Sequence, residues 1–314
     1  MQALTVSEFG APPTLTDLPH PKAGPGEILV KISAAGVNPL DRSIAEGRMQ
    51  AMMPATFPLI LGADLAGVVE AVGEGTSRYS PGDEVFGQLL ISPLGSAGTY
   101  AEYVAVTQDA PLARVPSNLD ATIAASLPTA GGAALDLVDA LGPLAEKTVL
   151  IVGAAGAVGS FATQLTAQAG AHVVATARQS EAARLRSYGA VETIDYAAVS
   201  VPDAISKAHP DGVDVLIDLA SDANAFPALA SLVRSGGSAL TARYVADLNS
   251  LAARGVRGIN FQLRTSIQLL ERLAEAVVSG RLMPPAITTV ALRDLPAWEQ
   301  ARGDHPDAKA VVIP

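Results

Sequence analysis

A chain of 314 residues, 49% hydrophobic and 17% charged, has a globular composition, and a formal charge of -10 without any Lys/Arg cluster argues against nucleic acid or an anionic membrane as partner. There is no cysteine, which removes disulfides, thiolate nucleophiles and Cys-based zinc sites, and the four histidines, His20, His172, His209 and His305, are too scattered for a metal site to be expected. No apolar run reaches the roughly 18 to 20 residues of a membrane helix, and MQALTVSEFG lacks a signal pattern, so a soluble cytoplasmic protein is expected.

Up to residue 117, short β-like runs over 27–33, 67–72, 83–86 and 100–106 are separated by turn signals such as GEGTSRYSPGD and PLGSAGT. They predict an irregular, mostly antiparallel β domain. From 118 to 263 the apolar runs at 149–152, 172–176, 213–219, 237–241 and 258–263 alternate with helical segments. Runs of this length between helices are expected for buried parallel strands of a doubly wound sheet. A helix is predicted from 264 to about 279, with Ile267, Leu270, Leu273, Ala274 and Val277 on one face. The final runs, ITTVAL at 287–292 and AVVIP at the end, predict a return to the first domain, giving domains of 1–117 with 264–314, and 118–263.

The strand at 149–152 runs directly into Gly153-Ala154-Ala155-Gly156-Ala157-Val158-Gly159, a G-x-G-x-x-G-like loop with alanine at its first position. Gly156 would admit a pyrophosphate to the backbone, Gly159 would let the following helix lie close to the sheet, and free N–H groups at the helix start would attract the anion. The helix carries Val158, Phe161, Ala162, Leu165 and Ala169 at helical spacing before Gly170. Tight strand–helix packing alone is the competing reading; the order of strand, loop, helix and strand favours a dinucleotide. The next strand ends in Thr176, Ala177, Arg178, Gln179 and Ser180, with no acid before Glu181. Arg178 can hold a 2′-phosphate bidentately, with Thr176 and Ser180 as hydroxyl donors, so NADPH is expected over NADH unless Arg178 is a solvated loop arginine.

Across nearly the whole chain, AGVNPLDRSIAEG, PLILGADLAGVVEAVGEG, YSPGDEVFG, GTYAEYVAV, ASLPTAGGAALDLV, the glycine loop, GAVETIDY and HPDAKAVVIP follow one another in order. Together they resemble the medium-chain dehydrogenase/reductase superfamily, and within it the zinc-independent quinone oxidoreductase, or zeta-crystallin-like, branch. The resemblance implies a GroES-like, mostly antiparallel β domain built from both ends of the chain and a central Rossmann domain with a doubly wound parallel sheet. It places the active site in the cleft between them, and it implies a homodimer, formed through the edge strand GINFQL. The zinc-dependent relatives have a ligand cysteine where this chain has Asn38, and Gly-His-Glu where it has Gly62-Ala63-Asp64. Without a metal to polarise an alkoxide, the expected chemistry is hydride delivery from NADPH to a small, hydrophobic, electron-poor acceptor, aided by a hydrogen bond to the developing enolate.

The resemblance assigns the catalytic loop to Asn38 and Asp41. Asn38 would donate to a carbonyl oxygen or fix the cofactor ribose, or else form an Asx turn before Pro39, and Asp41 would organise the loop. Arg42, Ser43 and Ile44 follow where some relatives have a tyrosine, so the proton donor is unassigned; Tyr103 reads rather as a strand residue, and Tyr244 follows the fifth strand, where a side chain could meet cofactor or substrate. By position, Ala154, Ala155, Gly156, Ala157 and Val158 would cradle the pyrophosphate. Thr129 would lie near the nicotinamide or be an ordinary helix residue, and Tyr196 would lie near the adenine or be packed. Leu219 and Ala220, with Ser221, and then Ala242 and Arg243 follow the fourth and fifth strands, where the crevice of such a sheet opens. Lys309 matches the family's tail lysine but reads more simply as a surface residue, with Ala308 in place of the usual glycine. Two other functions stay open: an enoyl-thioester reductase of a biosynthetic pathway, and a low-turnover NADPH-binding structural or sensor protein.

Overall fold

The computed structural model describes residues 1–301 and 308–314, so His305 and the HPD of the tail motif lie outside the described residues. The chain divides into two compact units, residues 1–132 with 265–314, and 133–264.

The first unit opens with β1 (Gln2–Val6), β2 (Thr14–Asp17) and β3 (Glu27–Gly36), then α1 (Pro39–Ala45), β4 (Leu59–Ile60), β5 (Asp64–Val72), β6 (Glu84–Gln88), β7 (Tyr103–Thr107) and β8 (Leu112–Arg114). Ile28, Val30 and Ile32 of β3 are buried while Lys31 and Ser33 face out, the period of two that fixes a strand with one apolar face. β3 pairs antiparallel with β5 and with β7, β5 pairs with β6, and β6 with β8. β1 lies between β2 and β4 in a separate three-stranded sheet. α2 (Ala121–Ser126) and the start of α3 (Pro128–Leu141) complete this part.

The second unit comprises β9 (Thr148–Val152), α4 (Ala157–Gln168), β10 (His172–Ala177), α5 (Ala182–Ser187), β11 (Glu192–Asp195), α6 (Val201–Ala208), β12 (Val213–Asp218), α7 (Phe226–Ala230), β13 (Val233–Thr241), α8 (Leu248–Ala253) and β14 (Arg257–Asn260). Its six strands are all parallel, in the order β11-β10-β9-β12-β13-β14. That is the doubly wound order 3-2-1-4-5-6 of a Rossmann sheet. Val149, Leu150 and Ile151 are wholly buried, because helices cover both faces and leave no polar side to the strand. On the buried face of α4 the polar Ser160, Thr163, Gln164 and Thr166 replace Leu165 and Ala169 of the predicted stripe, and Thr163 and Gln164 donate to the carbonyls of Gly159 and Ser160.

α9 (Ile267–Val278), β15 (Ile287–Ala291), α10 (Leu295–Ala301) and β16 (Lys309–Ile313) return to the first unit. β16 pairs antiparallel with the end of β3 and parallel with β15. α9 buries Leu269, Leu270, Leu273, Ala274 and Ala276, so its inner face is rotated from the predicted stripe and leaves Ile267 and Val277 half-buried. No helix among the described residues is long and apolar enough to cross a membrane.

The expected boundary at 117/118 is displaced. Residues 118–132 belong to the first unit. The carbonyl of Ala125 in α2 packs so close to Gly36 that a Cβ there would meet it at 2.3 Å, and a Cβ on Gly131 would stand 2.8 Å from the Leu273 side chain of α9. At the other crossing, the Arg264 N–H donates to Asp136 at 2.9 Å and keeps residue 264 with the second unit.

Candidate functional site

In the second unit β9 and β12 are neighbours whose connections leave in opposite directions, so the loops after them open a crevice at the carboxyl edge of the sheet. Gly153 turns there with φ +80°, and a Cβ on it would stand 3.2 Å from Ala220 and 3.4 Å from Leu219, which brings the two loops together. A Cβ on Gly159 would meet the Gly153 carbonyl at 2.2 Å and the Ala154 Cα at 2.6 Å, so α4 approaches the strand more closely than any side chain permits. Gly156 differs: it is exposed, it caps α4, and the nearest atom to an added Cβ is the Gly153 carbonyl at 3.4 Å. Among the described residues no side chain caps α4, which leaves its first N–H groups and the positive end of its dipole free for an anion. A phosphate therefore fits this cradle. Ala154 is buried beneath it, with Ala155, Ala157 and Val158 half-buried along its wall.

The other candidates in this unit gather at the same edge. Thr176 is buried, and its hydroxyl accepts the Gly153 N–H at 3.3 Å, so it shapes the loop rather than facing outward as a donor. Arg178 is exposed, and its guanidinium makes no hydrogen bond or ion pair among the described residues. The nearby acids are engaged elsewhere. Glu181 pairs with Arg184, while Asp195 accepts the N–H groups of Gln179 and Ala197. Buried Asp218 accepts the N–H groups of Ala220 and Ser221, folding the loop after β12, and its carbonyl accepts the Ala242 N–H. Ala220, Ala242 and Arg243 are exposed, Leu219 is half-buried, and Tyr196 beyond β11 is 47% exposed. Tyr244 stands in the left-handed region at φ +58° and donates to Gln262 at 3.0 Å. Sequence reasoning missed Arg184, which donates to the Ala155 carbonyl at 3.0 Å and the Ser160 hydroxyl at 2.9 Å while its guanidinium lies over Tyr188. Its i,i+3 spacing from Glu181 was the available signal.

The remaining candidates form a second, buried cluster in the first unit. Pro39 begins α1, so Asn38 is its cap, and Asp41 accepts the Asn38 N–H at 2.7 Å. The same Asp41 oxygen accepts the Tyr100 hydroxyl at 2.7 Å, and its other oxygen, Oδ1, has no hydrogen-bond partner among the described residues. The Asn38 amide donates to Asp64 at 2.9 Å and to the Gly36 carbonyl at 3.3 Å, while its oxygen accepts the Lys309 ammonium. Asp64 also accepts the Thr129 N–H at 3.0 Å and the Thr129 hydroxyl at 2.6 Å. Beyond Thr129 the chain of polar contacts continues from Gln88 to Thr265. Burial pushes the Asp41 carboxyl up to about 7, with the Asp64 charge adding to the rise and Lys309 opposing it. Burial also raises Asp64, again against the nearby Lys309 charge, and holds the Tyr100 hydroxyl well above its usual value, with the Asp41 charge adding to it.

This geometry bears on three expectations. Both amide protons of Asn38 donate within the unit, to Asp64 and to the Gly36 carbonyl, which ties the loop to the Asp64 carboxylate. Thr129 likewise uses its hydroxyl twice inside the unit, donating to Asp64 and accepting from Gln88. Lys309 is 8% exposed rather than a surface residue, because β16 carries it beside β3 and into the polar cluster. Gln88, Tyr100 and Thr265 had no sequence signal, since single polar residues in strands and loops carry no periodicity. A catalytic zinc does not suit these donors. Asp64 is already bonded by Thr129 and Asn38, no thiolate or imidazole joins it among the described residues, and the Lys309 ammonium supplies a positive charge nearby.

A doubly wound dinucleotide-type unit joined to an antiparallel β unit built from both chain ends is the architecture of a two-domain oxidoreductase. The family model of the alcohol dehydrogenase GroES-like domain matches residues 24–117, and that of the zinc-binding dehydrogenase matches 157–252. Human quinone oxidoreductase is 33% identical over 246 residues, 76% of this chain and 71% of that protein. The mouse mitochondrial NAD(P)H oxidoreductase RTN4IP1 is 28% identical over 92% of this chain and 82% of its own, although the match to its human counterpart spans only 52% of that protein. The quinone oxidoreductase of Coxiella burnetii superposes with a TM-score of 0.87 at 27% identity, covering 100% of this chain and 99% of its own. The chain belongs to the medium-chain dehydrogenase/reductase superfamily of nicotinamide-dependent oxidoreductases, in its quinone oxidoreductase branch.

Proposed function

We propose that this chain is an NADPH-dependent, zinc-independent reductase of quinones or α,β-unsaturated carbonyl compounds. The observation that carries the cofactor choice is Arg178, exposed and unpaired among the described residues beside a glycine cradle whose neighbouring acids are already bonded. In this reading the N–H groups of Ala155 to Val158 hold the pyrophosphate, Arg178 holds the 2′-phosphate, and the loops at 219–220 and 242–243 border the cofactor. When bound, NADPH supplies the hydride. The residues of the buried cluster keep the Asn38 loop rigid. They offer no metal-ligand set for polarising an unactivated substrate, which favours a small hydrophobic acceptor that is already electron-poor. Tyr100 and Asp41 are buried and hold each other, so the proton for the reduced acceptor is assigned to solvent. The reading includes a homodimer formed through β14, an edge strand of the parallel sheet, acting in the cytoplasm.

The test is NADPH oxidation measured in parallel with a quinone, an enone and a crotonyl thioester, together with NADPH and NADH affinities. Arg178→Ala is expected to weaken NADPH binding by about 10- to 100-fold, the worth of a charge-assisted hydrogen-bond pair, and to leave NADH unchanged. Turnover of the thioester alone would make the protein an enoyl-thioester reductase. Tight NADPH binding with no turnover of any acceptor would make it a binding protein.

A further inference from the structure

Outside both clusters, the fold gathers side chains that are far apart in sequence. His172 opens β10 and Glu192 opens β11. The parallel register pairs Val174 with Glu192, so His172, two residues before Val174, projects from the same face of the sheet as Glu192. α6 packs on that face through Ile205, which joins Val174 in one core cluster, and His209 caps its carboxyl end. The result is convergent. His172 Nε2 lies 2.5 Å from one Glu192 oxygen, and His209 Nε2 lies 3.2 Å from that oxygen and 3.4 Å from the other. The imidazoles face each other edge to face with centroids 5.9 Å apart, and one ligand atom from each of the three residues falls within 4.8 Å of the others.

We propose that His172, Glu192 and His209 form a binding site for a divalent transition ion of the zinc class. Two imidazole nitrogens and one carboxylate oxygen are the donors such ions take, whereas magnesium and calcium require oxygen shells. Ligand atoms around a tetrahedral zinc stand roughly 3.3 Å apart for bonds of about 2.0 to 2.1 Å. The 3.2 Å contact already has that spacing, and the 2.5 Å contact needs only a small opening of the Glu192 side chain. Water completes the fourth position. The side chains of His172 and Glu192 are 39% and 36% exposed, which gives the ion a route in, while His209 at 17% anchors the inner side. The bound ion ties β10, the edge strand β11 and the end of α6 together. It sits at the amino ends of the strands, whereas the glycine cradle and Arg178 are at the carboxyl ends. From His172 to Arg178 is about 20 Å along the strand at 3.3 Å per residue. The site is therefore independent of the proposed cofactor.

The experiment uses the untagged full chain, stripped with chelator and titrated calorimetrically with zinc chloride alone, with diffraction at the zinc absorption edge. One zinc per chain is expected, with an anomalous peak among the three side chains and a rise in melting temperature of about 5 °C at saturating zinc. Glu192→Gln should weaken binding about 10-fold and the double variant His172→Gln with His209→Gln at least 100-fold, each keeping the wild-type circular dichroism and NADPH affinity. Absence of binding to the wild-type chain, a peak elsewhere, or undiminished binding by the folded double variant would overturn the site. If the double variant does not fold, the position of the anomalous peak in the wild-type chain decides.

Discussion

Asp41 makes the first unit's stability depend on pH in the direction opposite to an ordinary paired carboxylate. Its pKa stands at about 7 in the folded chain against an ordinary 3.8, a gap of about 3 units or roughly 4 kcal/mol. Because the native state holds this proton more tightly than the unfolded chain, the stabilisation is complete below the unfolded value and is lost as pH rises through about 7. For this single site the loss between pH 5 and pH 8 comes to about 2.5 kcal/mol. Asp41→Asn keeps an oxygen to accept from Asn38 and Tyr100 but cannot ionise. Carboxylates outside this cluster titrate equally in both proteins and cancel in the comparison, whereas Asp64 feels the Asp41 charge and is replaced by Asn in both proteins compared. The single tryptophan, Trp298, packs against the core of the first unit, so its fluorescence during urea unfolding reports on the unit that contains Asp41. The stability of the Asp41→Asn chain relative to its Asp41 parent is expected to improve by about 2.5 kcal/mol from pH 5 to pH 8. A difference that stays flat over that range would refute the protonated, buried Asp41 and the account of its neighbours that rests on it.

The two glycines of the cradle should separate folding from binding. Gly159→Ala, which forces a Cβ into the Gly153 backbone, is expected to cost about 1 to 3 kcal/mol in thermal or urea unfolding. Gly156→Ala should change stability by less than about 1 kcal/mol, yet weaken NADPH binding roughly 10-fold by filling the space a phosphate would enter. Lys309→Met removes the cation that opposes the rise of both buried carboxyls, and should destabilise the first unit by about 3 to 5 kcal/mol in the Trp298 titration. Adding Asp64→Asn to that variant should recover part of the loss. No recovery would mean that Lys309 acts through packing rather than charge.

What was legible in advance follows from local rules. A strand buried on both faces must be apolar throughout, so the runs at 149–152, 172–176 and 213–219 were visible without any partner, whereas β11, a half-buried edge strand with the sequence ETID, carried no such mark. The glycine loop was equally visible, because Gly159 answers to a close approach to the Gly153 and Ala154 backbone a few residues earlier, and Gly153 to its own left-handed φ of +80°. The side of the boundary on which 118–132 falls was not visible, since a helix of small residues packs equally well on several surfaces until Gly36 and Leu273 are in place.

By itself, then, the sequence determined an α/β chain with a Rossmann-type sheet, a glycine loop of dinucleotide-binding type, an arginine after the second strand of that sheet and no thiolate for zinc. All of these are properties of residue type and short spacing. Only the tertiary structure decided that Lys309 is buried among carboxylates, that Asn38 and Thr129 spend their hydrogen bonds within the unit, and that two scattered histidines meet at Glu192. Each of those depends on elements brought together from 17 to 271 residues apart, and no periodicity along the chain records which distant strand a side chain will face.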